Sequence, residues 1–173
     1  CIGIYLTFEI GWPILVIGLV SLLIAYCYSA GPIPLGSLAL GEPVVFIFMG
    51  PLMVMGTYYV HTKSINFETF VMSIPIACMV TAILIANDMR DVNEDRNAGK
   101  RTIVTIMGRN FGRALWIALV TTGYFIVLSQ SLFSTHVHHI YHSALFLLPL
   151  LAFPRALKAF RMVYSREDRL GLS

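Results

Sequence analysis

Charge is what this sequence has least of. Only 12% of its 173 residues are Asp, Glu, Lys or Arg, about half the usual quarter. With so few charges and 57% hydrophobic residues, a soluble fold would have to expose large apolar patches, and such patches drive aggregation. Disorder is excluded too, because it needs low hydrophobicity and high net charge. A formal balance of +3 on so apolar a chain leaves no electrostatic footprint for nucleic acid. Cysteine is also scarce: Cys1, Cys27 and Cys78 lie far apart, with neither the pairing of a disulfide framework nor the spacing of a metal site. The apolar runs lack the period-two alternation that a transmembrane barrel requires. What remains is an all-α, polytopic transmembrane helical bundle.

A spanning helix needs about 20 mostly apolar residues. Uncharged stretches of that kind occupy residues 10–28, 43–60, 69–87 and 114–132, and a shorter one occupies 137–153. Between the first two, residues 29–42 are rich in Gly and Pro and read as a loop. The placement of charge gives a second, independent pattern. Of twelve Lys and Arg, six fall in residues 90–113, five in 155–169, and Lys63 stands alone. The two basic segments are separated by two proposed spans, so they emerge on one side, which the positive-inside rule assigns to the cytoplasm. Residues 1–173 read as a single transmembrane domain. The apolar opening has no basic n-region or cleavage site, and the chain stops after a charged run, so it is expected to be an internal stretch of a longer protein, incomplete at both ends.

The chemistry concentrates where the third span ends. Asn87, Asp88, Arg90, Asp91, Glu94, Asp95, Arg96, Gly99, Lys100, Arg101 and Thr102 follow in close order, and four of the chain's nine acids sit within eight positions. If the helix continues, each residue turns about 100°. Asp88, Asp91, Glu94 and Asp95 then share an arc of about 120° with Asn87. Like charges so spaced repel one another, unless a cation sits between them. Oxygen ligands with no His or Cys suit a hard ion such as Mg²⁺, which takes one or two carboxylates and bridges to substrate phosphates. Arg96, Lys100 and Arg101 are placed to hold remaining phosphate oxygens. The bland alternative is a solvated cytoplasmic loop, but ionisable groups at the edge of a membrane span mark function.

The pattern Asn87, Arg90, Asp91, Asp95, Gly99, Lys100 and Thr102 resembles the second aspartate-rich motif of the UbiA superfamily of intramembrane aromatic prenyltransferases. Residues 28–35 (Tyr-Ser-Ala-Gly-Pro-Ile-Pro-Leu), 40–42 (Leu-Gly-Glu) and 56–60 (Gly-Thr-Tyr-Tyr-Val) resemble the branch that acts on 1,4-dihydroxy-2-naphthoate in menaquinone biosynthesis. The resemblance covers residues 11–108. It implies a nine-helix fold of which this chain supplies the fourth to the eighth helix. It also implies Mg-dependent transfer of a polyprenyl group from its diphosphate to dihydroxynaphthoate, giving demethylmenaquinone in its reduced, quinol form, diphosphate and CO2. By resemblance, Asp91, Asp95 and Asn87 are the catalytic and metal-holding residues, joined by Asp88 where the branch usually has a second Asn. Lys100, Arg101 and Arg90 would bind diphosphate, and Tyr28 would stabilise an allylic cation in the substrate pocket. The family's first aspartate-rich motif is not in this sequence. The expected partners are polyprenyl diphosphate, an aromatic acceptor and the bilayer, with no nucleic acid. The expected location is the bacterial cytoplasmic membrane, with the site facing the cytoplasm.

Alternatives are a sister enzyme using 4-hydroxybenzoate or a tetrapyrrole, a membrane phosphatidyltransferase, and a cation channel or transporter with acids along its pore. The phosphatidyltransferase signature is not found, and pore acids belong nearer mid-membrane. Other residues carry blander readings. His136, His138, His139 and His142 read as an interfacial loop, Tyr58, Tyr59, Trp12 and Trp116 as belt residues, and Tyr28 fits a belt position as well as the site. Gly56 and Gly123 read as points of close helix packing. Glu42 reads as an acid suited to a helix N-terminus, with a role in the site as the alternative that the 40–42 resemblance adds.

Overall fold

The computed structural model describes residues 2–31 and 34–133, together with Leu151, Pro154, Arg155 and Lys158. The fifth expected span, 137–153, the histidines at 136–142 and most of the basic segment 155–169 lie outside the described residues. Two compact units divide the chain, 1–123 and 124–173; everything below concerns the first, apart from the end of the last helix.

Seven α-helices account for the described chain: α1 (Ile2–Ile10), α2 (Trp12–Ser29), α3 (Gly41–Ile47), α4 (Met53–Thr62), α5 (Phe67–Asn97), α6 (Ile103–Met107) and α7 (Arg109–Phe133). Among the described residues, four stretches are long and apolar enough to cross a membrane: Trp12–Ser29, Gly41–Thr62, Phe67–Asn97 and Arg109–Gln130. They coincide with the first four spans expected from hydropathy, and no strand occurs among the described residues. The protein is a helical membrane bundle.

Local chemistry explains the breaks. Gly11, at φ 117°, separates α1 from α2, and Pro13 starts α2 where its missing N–H is not needed. Pro51 falls inside the second span. Its ring blocks the regular ladder, and the chain answers with a π-turn, Phe48–Leu52, that joins α3 to α4 without interrupting the span. Asn66 caps α5 by accepting the Glu68 amide at 2.9 Å. With 31 residues, α5 is about 46 Å long, well beyond the ~30 Å hydrocarbon layer. Its last turns therefore stand clear of the apolar zone.

Burial is concentrated on α5. Ala77, Cys78, Ala82, Ile85, Met89 and Val92 form the packed face. The closest approach comes at Gly50, where an added Cβ would lie 2.9 Å from the Ala77 Cα. Gly123 also packs closely, near Met79 and Cys78. Gly56 does not: among the described residues nothing lies within 4 Å of a Cβ placed there, so the packing expected at Gly56 occurs one π-turn earlier, at Gly50. Large apolar side chains elsewhere point outward, including Phe8, Leu19, Leu22 and Leu23, as lipid contact requires. Trp12 is 73% exposed, consistent with an interfacial anchor.

The helix ends form two groups. Lys63 Nζ reaches the Glu9 carbonyl at 3.1 Å, placing the α1–α2 break and the α4–α5 turn at one end. At the other end, the α2–α3 loop meets the α5–α6 turn: Arg101 N–H donates to the Ser37 carbonyl at 2.8 Å, and Leu38 and Arg101 form a parallel bridge.

Candidate active site

The second of these ends carries the acids. Asp88 and Asp95 lie seven residues, about two turns, apart on α5, both on its packed face, with exposures of 8% and 7%. Asp91 stands between them in height but rotated towards the open face. It is half-buried and gripped by its neighbour Arg90, whose Nε and Nη2 donate to the two carboxylate oxygens at 2.7 and 2.8 Å. Asn87 and Glu94 are exposed on that open face. The arc of acids expected from the helical wheel thus straddles the boundary between packed and open surface.

The end of α5 has a specific geometry. Gly99 sits at φ 72°, the left-handed conformation that suits glycine. The Gly99 amide bonds back to the Arg96 carbonyl at 3.0 Å and the Lys100 amide to the Asp95 carbonyl at 2.9 Å. That is a Schellman cap. Its consequence is chemical, because it folds Lys100 back on the helix so that Nζ donates to Asp95 Oδ1 at 2.8 Å. This hydrogen bond, and then the charge of Asp95, holds the Lys100 ammonium above its ordinary pKa. Thr102 next caps α6 by accepting the Thr105 amide at 3.2 Å. The Asp-x-x-x-Gly-Lys-x-Thr run is therefore one structural unit: acid, turn, cation and cap.

Two further side chains converge on it from α2 and α3. Glu42 is 3% exposed; its Oε1 accepts the Ile103 amide at 2.8 Å, while the buried Oε2 has no hydrogen-bond partner among the described residues. Its carboxyl lies beside that of Asp88, which also feels Asp95 and Lys100. The Tyr28 phenol feels the charges of Asp88, Glu42 and Lys100. Its ring is enclosed by the 34–41 turn, where a Cβ on Gly36 would stand 2.9 Å from the ring. Tyr28 also lines an apolar cavity of about 500 Å³ between α2 and the α3–α4 span, whose wall includes Ile17, Ser21, Ile24, Phe48 and Met53.

Of the residues singled out in the sequence, the structure gathers Asp88, Asp95, Lys100 and Tyr28. Asp91 and Arg90 pair with each other alongside, and Asn87 lies on the exposed surface. Arg101 contributes its backbone to the loop junction, with its side chain exposed. Glu42, read from the sequence first as a helix N-terminal acid and only second as a site residue, joins the gathered residues here. The available signal was an acid directly after Leu40-Gly41, in a segment otherwise free of charge.

Among the described residues, no three carboxylate, histidine or cysteine side chains are grouped closely enough to enclose a metal ion. The donors present are nonetheless of the right kind. They are carboxylates without nitrogen or sulfur ligands, on a helix end beside a lysine, and Mg²⁺ completes its shell with water and phosphate oxygens around one or two such groups.

A family model described as the UbiA prenyltransferase family matches residues 1–170. The chain is 34% identical over 123 residues to the 1,4-dihydroxy-2-naphthoate octaprenyltransferase of Bacillus subtilis, covering 71% of this chain and 40% of that protein. It is 30% identical over 158 residues to the Escherichia coli protein of the same name, covering 91% and 49%. With the mouse UbiA prenyltransferase domain-containing protein 1 it shares 33% over 156 residues, covering 86% and 44%. The chain spans less than half the length of these relatives. No solved structure matches it.

Proposed function

The chain belongs to the UbiA prenyltransferase family, and from that premise we propose that it carries the diphosphate-binding half of an enzyme that transfers a polyprenyl group to 1,4-dihydroxy-2-naphthoate. The observation that carries this reading is the Asp95–Lys100 unit at the end of α5, set beside Tyr28 at the edge of an apolar cavity.

In the proposed reaction the allylic C–O bond of the polyprenyl diphosphate breaks and a C–C bond forms to the aromatic ring. The ring carboxyl leaves as CO2, and diphosphate departs with the C–O electron pair. Negative charge therefore grows on the diphosphate while positive charge grows on the isoprenoid. Lys100, fixed by Asp95, supplies preorganised positive charge where the first develops. Arg101 and Arg90 add to the field around it. The Tyr28 ring offers its face to the allylic cation, worth about 0.5–2 kcal/mol. The apolar lining excludes water that would otherwise quench the cation. Asp91 and Asp95, with Asn87 and Asp88 nearby, are the residues that would hold Mg²⁺. When bound, that ion supplies Lewis-acid stabilisation of the departing diphosphate.

The names of the bacterial relatives favour dihydroxynaphthoate as acceptor. The basic residues at the 97–113 end favour a site on the cytoplasmic side of a bacterial cytoplasmic membrane. The test is genetic: the complete protein, expressed in a strain lacking its own naphthoate prenyltransferase, restores menaquinone. Restoration of ubiquinone in a strain lacking the 4-hydroxybenzoate enzyme, with no menaquinone in the first, would move the acceptor to the sister branch.

A further inference from the structure

Glu42 is buried to 3% exposure at the start of α3, yet its Oε1 meets the backbone 61 positions later, at Ile103. The segment it meets is short and depends on its neighbours for its place. α6 has five residues, too short to be stable as an isolated helix, and the turn before it carries Lys100. The Lys100–Asp95 bonds, the fully buried Val104 and a 3.5 Å contact from Arg96 Nη2 to the Thr105 carbonyl hold it to α5. Two further bonds tie it to the α2–α3 side, on either side of Thr102. One is the backbone bond from Arg101 to the Ser37 carbonyl, and the other is the Glu42–Ile103 bond. Thr102 between them is 4% exposed. A carboxylate in so dry a place is costly unless its oxygens are used, and the oxygen that is used makes a charge-assisted bond to a helix's first amide.

We propose that Glu42 is a positioning residue: by holding the Ile103 amide it fixes the 99–102 turn, and with it the Lys100 ammonium, against Asp95 for recognition of a diphosphate. The identity of that ligand rests on the prenyltransferase reading; the latch itself does not. Glu42 touches none of the reacting atoms in this account. It acts through the loop, so its loss weakens diphosphate recognition and leaves the aromatic acceptor's site alone.

A selective way to remove the latch exists. Ile103 is the first residue of α6, where proline is tolerated because the amide has no partner within the helix. Thr102, at φ −68° and ψ 164°, already has the extended backbone that a following proline demands. Ile103→Pro therefore deletes the donor while Glu42 and its charge stay in place. Glu42→Gln keeps an acceptor oxygen for Ile103 and presents an amide to Asp88, whereas Glu42→Ala removes the latch outright. Glu68→Ala, at the opposite end of α5, serves as control.

The complete protein in nanodiscs is compared in three measurements: amide hydrogen exchange over residues 99–107, binding of inorganic diphosphate with Mg²⁺, and KM for each substrate. Glu42→Ala and Ile103→Pro should speed exchange in that segment and weaken diphosphate binding about tenfold, the lower end of what supporting residues around a metal or anion site contribute. The same two variants should raise KM for the prenyl diphosphate and leave KM for the acceptor unchanged. Glu42→Gln and Glu68→Ala should stay close to wild type in all three. Unchanged exchange in Glu42→Ala, wild-type behaviour of Ile103→Pro, or an equal rise in both KM values would each overturn the proposal. If the wild-type protein transfers no prenyl group but the exchange and diphosphate-binding effects appear, the latch stands and the enzymatic reading falls.

Discussion

Lys100 is bonded to Asp95 twice, by its amide to the Asp95 carbonyl and by its ammonium to the Asp95 carboxylate. The first bond belongs to the Schellman cap and the second to the site, so the device that ends the helix also aims the cation. A sequence in which acid and lysine are five residues apart would not pair them on a continuing helix, where that spacing turns about 500°, or 140° net. Gly99 makes the pairing possible.

Gly99 is accordingly the residue whose change separates backbone from chemistry. Among the described residues a Cβ there meets nothing within 4 Å, but the φ of 72° disfavours any side chain. Gly99→Ala should cost about 1 kcal/mol of stability and lower turnover more than that loss accounts for, because Lys100 no longer returns to Asp95. Gly99→Asn, which accepts the left-handed conformation more readily, should keep more activity. Thermal unfolding and turnover of both variants check this; equal turnover in Gly99→Ala and wild type would contradict it.

The carboxylates should matter for catalysis far more than for folding. Asp91→Asn and Asp95→Asn in the complete protein should each reduce Mg-dependent turnover by about 100-fold or more, with protein levels near normal. The two differ in a checkable way. Asp95→Asn removes the charge that holds Lys100, whereas Asp91→Asn releases Arg90. Raising Mg²⁺ should therefore rescue Asp91→Asn more than Asp95→Asn. Near-normal turnover in both variants would remove them from the site.

Packing offers an independent prediction. At Gly50 an added methyl collides with Ala77, so Gly50→Ala should destabilise by about 1–3 kcal/mol. Ala77→Gly in the same chain should recover only the part due to its methyl, because its Cα still stands 2.9 Å from the added group; the two residues are in contact and their effects are not additive. If the double variant is as unstable as the sum of the singles, the α3–α4 span does not approach α5 as described.

The sequence made some of this legible and hid the rest for identifiable reasons. Four spans could be read from hydropathy because a lipid environment imposes length and apolarity on each one separately. The π-turn at Phe48–Leu52 was not readable, because Pro51 alone does not say whether a span kinks, breaks or absorbs the extra residue. On α5, angular spacing placed the acids on one arc, but it could not say which edge of that arc packs. The neighbours decide that, and they bury Asp88 and Asp95 while leaving Asn87 and Glu94 outside. For Glu42 the 40–42 resemblance raised a site role but not its partner, because that partner is a backbone amide 61 residues away, a contact that no local pattern encodes.

Topology is tested by labelling. Lys63 stands at the end of the molecule opposite Asn97, since α5 runs the full distance between them. A cysteine at Lys63 should react with an impermeant reagent added to intact cells, and one at Asn97 should be shielded until the membrane is opened. Reaction at Asn97 from outside would invert the layout and overturn the proposal of a cytoplasmic site.

The most direct measurement is product formation by the purified complete protein in nanodiscs, given polyprenyl diphosphate, 1,4-dihydroxy-2-naphthoate and Mg²⁺, and followed by mass spectrometry. The predicted result is a prenylated, decarboxylated naphthoquinol with one diphosphate released per product. That product should fall by about 100-fold in Asp95→Asn and disappear when Mg²⁺ is chelated. Product formed equally well by Asp95→Asn, or without any divalent ion, would contradict the account of the site.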